Sequence, residues 1–240
     1  MTGFAIFFLV FGCVFAQETR PLPRFEVSSI KPAVDTGGAA SYPSTGRWRA
    51  ENRTAVDLIT YAYDILVEQV VGAPKWASSE GFDIVGTFSD GRGSGQARSD
   101  LQARVQTLLA DRFQLRAHHV ASKMAAYALS RESGRKERVR VETDRELSYS
   151  IGSAFMQFEG ISMDEFARHL SRALRTPVSN RTGLPGFFKF RIDFDPGGPE
   201  PNSAGALSTA IREHLGLRLS HRRVPIDHLV IEQLRHPTPN

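Results

Sequence analysis

Hydrophobic and polar positions alternate most regularly over Phe188–Phe194, where Phe188, Phe190, Ile192 and Phe194 interleave with Lys189, Arg191 and Asp193. A period of two puts the apolar side chains on one face and the charges on the other, which predicts a half-buried strand. The preceding Asn180-Arg-Thr-Gly-Leu-Pro-Gly186 predicts a turn in which at least one glycine takes a positive φ. A comparable strand is predicted at Phe82–Phe88, and shorter ones at Phe25–Ile30 (stopped by Lys31-Pro32), Arg47–Glu51 and Phe155–Phe158. Helical spacing links Ala55, Leu58, Ile59, Ala62 and Tyr63, then Leu101, Val105, Leu108 and Leu109. It recurs in Met163, Phe166, Ala167, Leu170 and Leu174, and in Leu207, Ile211 and Leu215. Thr54-x-x-Asp57 and Ser162-x-x-Glu165 have the spacing of a capping box, in which the hydroxyl accepts from a backbone N–H three residues on and the acid reaches back. Phe113–His119 and Ala125–Ser130 predict two strands with a turn near Ala121-Ser122. Leu217–His221 and His228–Glu232 predict a second pair.

The order of elements repeats. Arg112–His119 lies beside His214–His221 at a constant offset, and Tyr127-Ala-Leu129 lies beside Leu229-Val-Ile231 at the same one. The predicted fold class is therefore α+β, as two tandem copies of a strand-helix-strand-helix-strand-strand unit. The helices pack on one face of mainly antiparallel sheet. The copies are assigned to 24–131 and 147–240, separated by a charged linker at 132–146. Leu58 and Phe166 should be equivalent buried positions, and the cleft between copies is the place to look for a ligand. Two lobes and one shared sheet both remain open.

The apolar run Phe4–Ala16 is too short to cross a bilayer, which takes about 20 residues in a helix. It reads as a signal peptide over 1–16, with Val14 and Ala16 marking cleavage before Gln17 and a linker over 17–23. This places the protein outside the cytoplasm, in the periplasm or beyond, with no transmembrane anchor after signal removal. Cys13 is the only cysteine and offers lipidation as an alternative. Otherwise the mature chain has neither disulfides nor a thiolate metal site. The net charge of +4 is spread along the chain, so a solvated basic surface is expected rather than nucleic-acid binding.

Candidate chemistry is sparse. Gly91-Arg-Gly93-Ser-Gly95-Gln96 sits between a strand and a helix, but its third glycine comes too early for a dinucleotide fingerprint and no P-loop lysine follows. A flexible loop is expected there. His214, His221 and His228 recur every seven residues and His118-His119 are adjacent, yet no H-E-x-x-H is present and no metal site is assigned. No cofactor is expected. There is no G-x-S-x-G elbow. Asp83 and Asp193 fall at matching places on the two repeated strands, as duplication alone would place them. Trp48, Tyr61, Tyr63 and Trp76 crowd the first helix and its flanks. Core and turn anchoring explains them, and Trp48, Tyr63 and Trp76 are the candidates for a ligand-facing aromatic groove.

Six segments carry a resemblance: Phe25-Glu-Val-Ser-Ser-Ile-Lys-Pro32, Asp57–Tyr63, Gly72-Ala-Pro-Lys-Trp76 with Phe82-Asp-Ile84, Leu109–Leu115, Thr182-Gly-Leu-Pro-Gly186 and His214-Leu-Gly-Leu217. Together, from about Arg24 to the C-terminus, the chain resembles the soil-associated family of uncharacterised exported proteins found in large paralogous sets in acidobacteria. The resemblance implies an exported domain of unknown function with no catalytic residues to transfer. Similar domains attached to membrane sensor-protease architectures would favour binding or sensing. The chain departs from the family pattern at Asn180, where an acid is common, and at Phe187-Phe188, where a more polar exit with a tyrosine is usual.

The first expectation is a non-catalytic envelope protein that binds a peptide, a glycan or a protein partner. The alternative is a hydrolase or metal-dependent enzyme using His and Asp residues at the junction of the two repeats.

Overall fold

The computed structural model describes residues 23–34, 40–44, 46–89, 94–134, 137–142, 147–195 and 204–237. The expected signal peptide, with Cys13, and all but the last residue of the 17–23 linker lie outside them.

In chain order, strands β1 (Val27–Pro32), β2 (Ala40–Ser44) and β3 (Arg47–Thr54) lead into helix α1 (Ala55–Tyr63). The short β4 (Val70–Val71) and then β5 (Gly81–Thr87) precede α2 (Ser94–Arg112) and the long β6 (Arg116–Arg131). Next come β7 (Arg140–Glu142), β8 (Ser148–Ile151), β9 (Phe155–Ile161) and α3 (Met163–Leu174). The chain then runs through β10 (Val178–Arg181), β11 (Phe187–Asp193), α4 (Ala204–Ala210), a π-helical turn over Ile211–Leu215 and the long β12 (Leu217–Gln233). The fold is mixed α and β, its sheets mostly antiparallel, with four α-helices among the described residues.

Local chemistry accounts for the helix starts. Thr54 Oγ1 accepts from the Asp57 N–H at 3.1 Å while Asp57 accepts from the Thr54 N–H at 3.1 Å. Ser162 and Glu165 do the same at 3.2 and 2.9 Å. Leu58 and Phe166 are both buried, as is the apolar face of β11. In the turn before β11, Gly183 and Gly186 both have positive φ, 63° and 99°. No neighbour would meet a Cβ at either, so an alanine there would be disfavoured by backbone conformation alone.

Three four-stranded sheets result, with orders β1-β5-β3-β2, β7-β11-β9-β8 and, between them, β10-β6-β12-β4. The two outer sheets are antiparallel throughout. In the central sheet β6 and β12 run antiparallel, with parallel β10 on β6 and parallel β4 on β12. Each short strand thus pairs with the long strand from the other part of the chain. The architecture combines both arrangements left open by the sequence, since each span has its own sheet, the second extended by β7 from the segment between them, and the two share a third.

The central sheet corrects the strand-turn-strand readings. Ala121-Ser122 is no turn, because β6 continues through it, and the segments Leu217–His221 and His228–Glu232 belong to one strand rather than to a pair. The partner of each long strand is the other long strand, with Lys123 opposite Pro225 near the middle. There the sheet is only two strands wide, because β10 reaches Tyr127–Ser130 and β4 reaches Leu229–Val230. A proline, which cannot donate to a ladder, is tolerated where a strand has an open side. Ala121, Ser122 and Lys123 are exposed, so the hydrophobic alternation lapses while backbone pairing continues.

Three smaller readings also change. β1 runs on through Lys31 and Pro32, β7 forms inside the segment read as a charged linker, and Gly95 belongs to α2 rather than to a loop. Among the described residues no helix is long and apolar enough to cross a membrane.

One core lies under α1, α2 and the first sheet, and takes Leu229 and Ile231 from β12. A second lies under α3, α4 with the turn after it, and strands β9 and β11, and takes Leu129 from β6; a smaller cluster joins Ala126 and Ala128 of β6 to Val224 and Ile226 of β12.

Candidate functional site

A cleft of about 710 Å³ opens where the two spans meet. The end of α1 and the chain after it supply Tyr61, Tyr63, Asp64, Ile65 and Leu66. Across from them stand Arg168, Ser171 and Arg172 of α3, with Pro177–Asn180 leading through β10. The two-stranded ribbon of β6 and β12 contributes His119, Pro225, Ile226 and Asp227, and α2 adds Arg98.

Asp64 is the hinge of this geometry. It caps the C-terminal end of α1 in the left-handed region, φ 54° and ψ 42°, with its N–H donating to the Thr60 carbonyl. Aspartate tolerates that conformation better than most residues, but a carboxylate at a helix C-terminus meets the negative end of the dipole. Arginines from two other helices compensate. Arg168 Nε lies 3.0 Å from Oδ2, Arg98 Nη2 lies 3.5 Å from Oδ1, and Arg172 also donates to Oδ1. Arg168 and Arg172 are four apart, which puts them on one face of α3.

The other carboxylates of the cleft are engaged locally. Asp57 caps α1, Asp164 accepts from the Asn180 amide at 2.9 Å, and Asp227 meets His119 Nδ1 at 2.6 Å. Asn180 also accepts from the Thr182 N–H and hydroxyl, at 3.0 and 2.8 Å, fixing the turn that follows β10. Burial pushes the Tyr61 phenol up, with Arg98 opposing and Asp64 adding to the shift; burial alone raises Tyr63. Both remain protonated donors at neutral pH.

Of the three aromatic candidates, Tyr63 lies on the cleft with its ring 6.1 Å from that of His119. Trp48 also borders it, but as a core residue 2% exposed, sandwiched between Phe25 at 5.6 Å and Tyr61 at 6.5 Å. Trp76 is not among the lining residues; it stacks on His236 at 3.9 Å and meets Phe82 edge-on. The histidine and acid candidates do not converge. His221 and His228 lie seven residues apart on one extended strand, about 23 Å at the usual rise. Asp83 accepts from the Asn52 N–H, and Asp193 pairs with Arg191 on an exposed face. Among the described residues no group of three or more His, Cys, Asp or Glu is placed to hold a metal ion.

Residues 56–234 match the family model described as a protein of unknown function, DUF3738. The chain belongs to the DUF3738 family. No curated protein and no solved structure matches it. The DUF3738 match takes in α1, both helices that supply arginines, and the central ribbon; Trp48 precedes it.

Asp64, Arg98, Arg168 and Arg172 went unnoticed in the sequence. The i, i+4 arginines of α3 were the available signal, whereas nothing local connects Arg98 or Asp64 to them.

Behind this cluster His169 is pushed down to about 4, by burial first, then by Arg172 and Arg98, against the pull of Asp64, and by Arg168. Its ring packs edge-on against Tyr149 at 4.8 Å and Phe158 at 5.1 Å. Above the ordinary value of 6.5 the imidazole is neutral in folded and unfolded chains alike, and contributes no pH dependence. As pH falls from there toward 4, the unfolded chain takes up a proton that the folded one resists, so stability declines across this window and levels off below it. Thermal midpoints between pH 7 and 4 should fall more steeply for the native protein than for His169→Gln. Parallel curves would show that this histidine is not buried neutral.

Proposed function

We propose that this protein is an exported, non-catalytic binding protein that takes a peptide, a glycan or a segment of a protein partner into the cleft between its two spans. The observation that carries the reading is the cleft itself, a volume suited to a small ligand that joins aromatic walls to a few convergent polar groups. Export is part of the proposal and rests on the apolar run Phe4–Ala16 and the Val-x-Ala site, as does the soil-associated, acidobacterial character of the family resemblance on its six segments. We also read the two spans as copies of one unit. Support comes from the corresponding orders β1-β5-β3-β2 and β7-β11-β9-β8, and from the exchange of β4 and β10 between spans. The Lys123–Pro225 pair lies at the offset that relates Phe113 to Leu215, as a two-fold through the ribbon requires.

A second reading is acid–base catalysis by His119, whose Nδ1 meets Asp227 at the edge of the cleft, an arrangement that orients an imidazole. One titration separates the two. Amide spectra recorded with trialanine and with chitotriose should shift over Tyr61–Leu66, Arg168–Arg172 and Ser179–Asn180, with the added compound recovered intact and the shifts lost in Tyr63→Ala. Breakdown of either compound that disappears in His119→Ala would favour the enzyme. Shifts confined to other surfaces would remove the cleft as the site.

A further inference from the structure

We propose that Arg98, Arg168 and Arg172 form an oxyanion subsite, which the Asp64 carboxylate fills in the free protein and a carboxylate or phosphate of the ligand takes over on binding. The inference rests on the cleft being the binding site and names the class of ligand it selects.

Charge is the first argument. Three guanidinium groups meet at one carboxylate, and the other three acids of the cleft are held by a helix cap, by Asn180 and by His119. At that contact three guanidinium groups share a single carboxylate, while the charges of Asp57, Asp164, Asp227 and Arg53 lie elsewhere on the cleft wall. The effect of the arginines reaches His169 behind them, which Arg172, Arg98 and Arg168 all help to keep unprotonated.

Accessibility is the second. The side chains of Arg98, Arg168 and Arg172 are 49%, 45% and 37% exposed. Each guanidinium has five N–H donors in a planar fork that matches a carboxylate or phosphate, and Asp64 uses few of them. Asp64 itself is 26% exposed, so its carboxylate can exchange with an incoming oxyanion that makes the same guanidinium contacts.

The placement of Asp64 is the third. Its carboxylate stands at the unfavourable end of α1 and reaches Arg172, 108 positions away on α3. The left-handed backbone at the end of α1 suits an aspartate, but nothing in α1 favours its charge there. The arginines do, and they would hold a ligand's oxyanion in the same way, while Tyr61, Tyr63 and Ile65 offer it an apolar wall.

Removing the internal competitor should therefore strengthen binding, a sign that a purely structural ion pair does not share. The probes for calorimetry and amide spectra are inorganic phosphate, acetyl-Ala-Ala-Tyr as free acid and as amide, and trigalacturonate beside neutral chitotriose. The acids should bind at least about tenfold more tightly than their neutral counterparts. Asp64→Asn should tighten acid binding by roughly five- to tenfold, since it frees the subsite from an occluded state. Arg168→Gln and Arg172→Gln should each weaken it by about tenfold or more, and Arg172→Lys should recover only part because the fork is lost. Thermal midpoints check that each variant folds. Preference for the peptide acid, the uronate or phosphate would tell which source supplies the oxyanion. Equal binding of acid and amide in the cleft, unchanged in Asp64→Asn, would overturn the subsite and leave the cleft reading standing. Absence of any cleft shift with all five probes, in native protein and Asp64→Asn alike, would overturn both.

Discussion

Phe166→Ala is expected to lower unfolding stability by about 3–5 kcal/mol, the usual cost of emptying a large aromatic site in a packed core. Phe166 is fully buried on α3, with Phe190 at 4.9 Å and Phe158 at 5.6 Å, both nearly edge-on. Leu58→Ala, the fourth residue of α1 as Phe166 is of α3, should cost about 2–5 kcal/mol for the same reason. Denaturant titration with an unchanged slope would measure both losses. A loss below about 1 kcal/mol in either would mean that its helix is not packed as described. Because α3 also carries Arg168 and Arg172, a destabilised Phe166 variant should lose definition of the cleft as well.

Neither span should fold alone. Produced separately, 24–131 and 147–240 should each lack cooperative unfolding and dispersed amide signals, and mixing them should restore both. The first core would lose Leu229 and Ile231, and β4 would lose its partner β12. The second would lose Leu129, and β10 would be left without β6. Both long strands would expose an entire edge, since β6 and β12 pair along nearly their whole lengths. A cooperative transition in either isolated piece would show that the shared sheet is an accessory to two self-sufficient units.

The two experiments probe features that differ in how far they could be read in advance. Phe166 was legible because its helix has a capping box at Ser162 and an apolar stripe at helical spacing, signals contained within a dozen neighbouring residues. The exchange of β4 and β10 was not. β4 is two residues long, and its partner Leu229–Val230 lies in another part of the chain, so no period betrays it. The ribbon was cut in two by the same limitation, since Ala121-Ser122-Lys123 is exposed and carries no hydrophobic alternation. Of the aromatic candidates, Tyr63 lines the cleft, whereas Trp76 stacks on His236 and is not among the lining residues. Residue type alone did not separate them.

By itself the sequence determined the starts of α1 and α3, the burial of Leu58, Phe166 and the β11 face, and a positive φ in the glycine turn before β11, because capping, side-chain period and backbone sterics act between near neighbours. Only the tertiary structure decided that β6 and β12 form one ribbon and that Asp64 meets Arg98, Arg168 and Arg172. Backbone pairing and charge contacts between distant segments obey no local period, and they exist only once the two cores have brought those segments together.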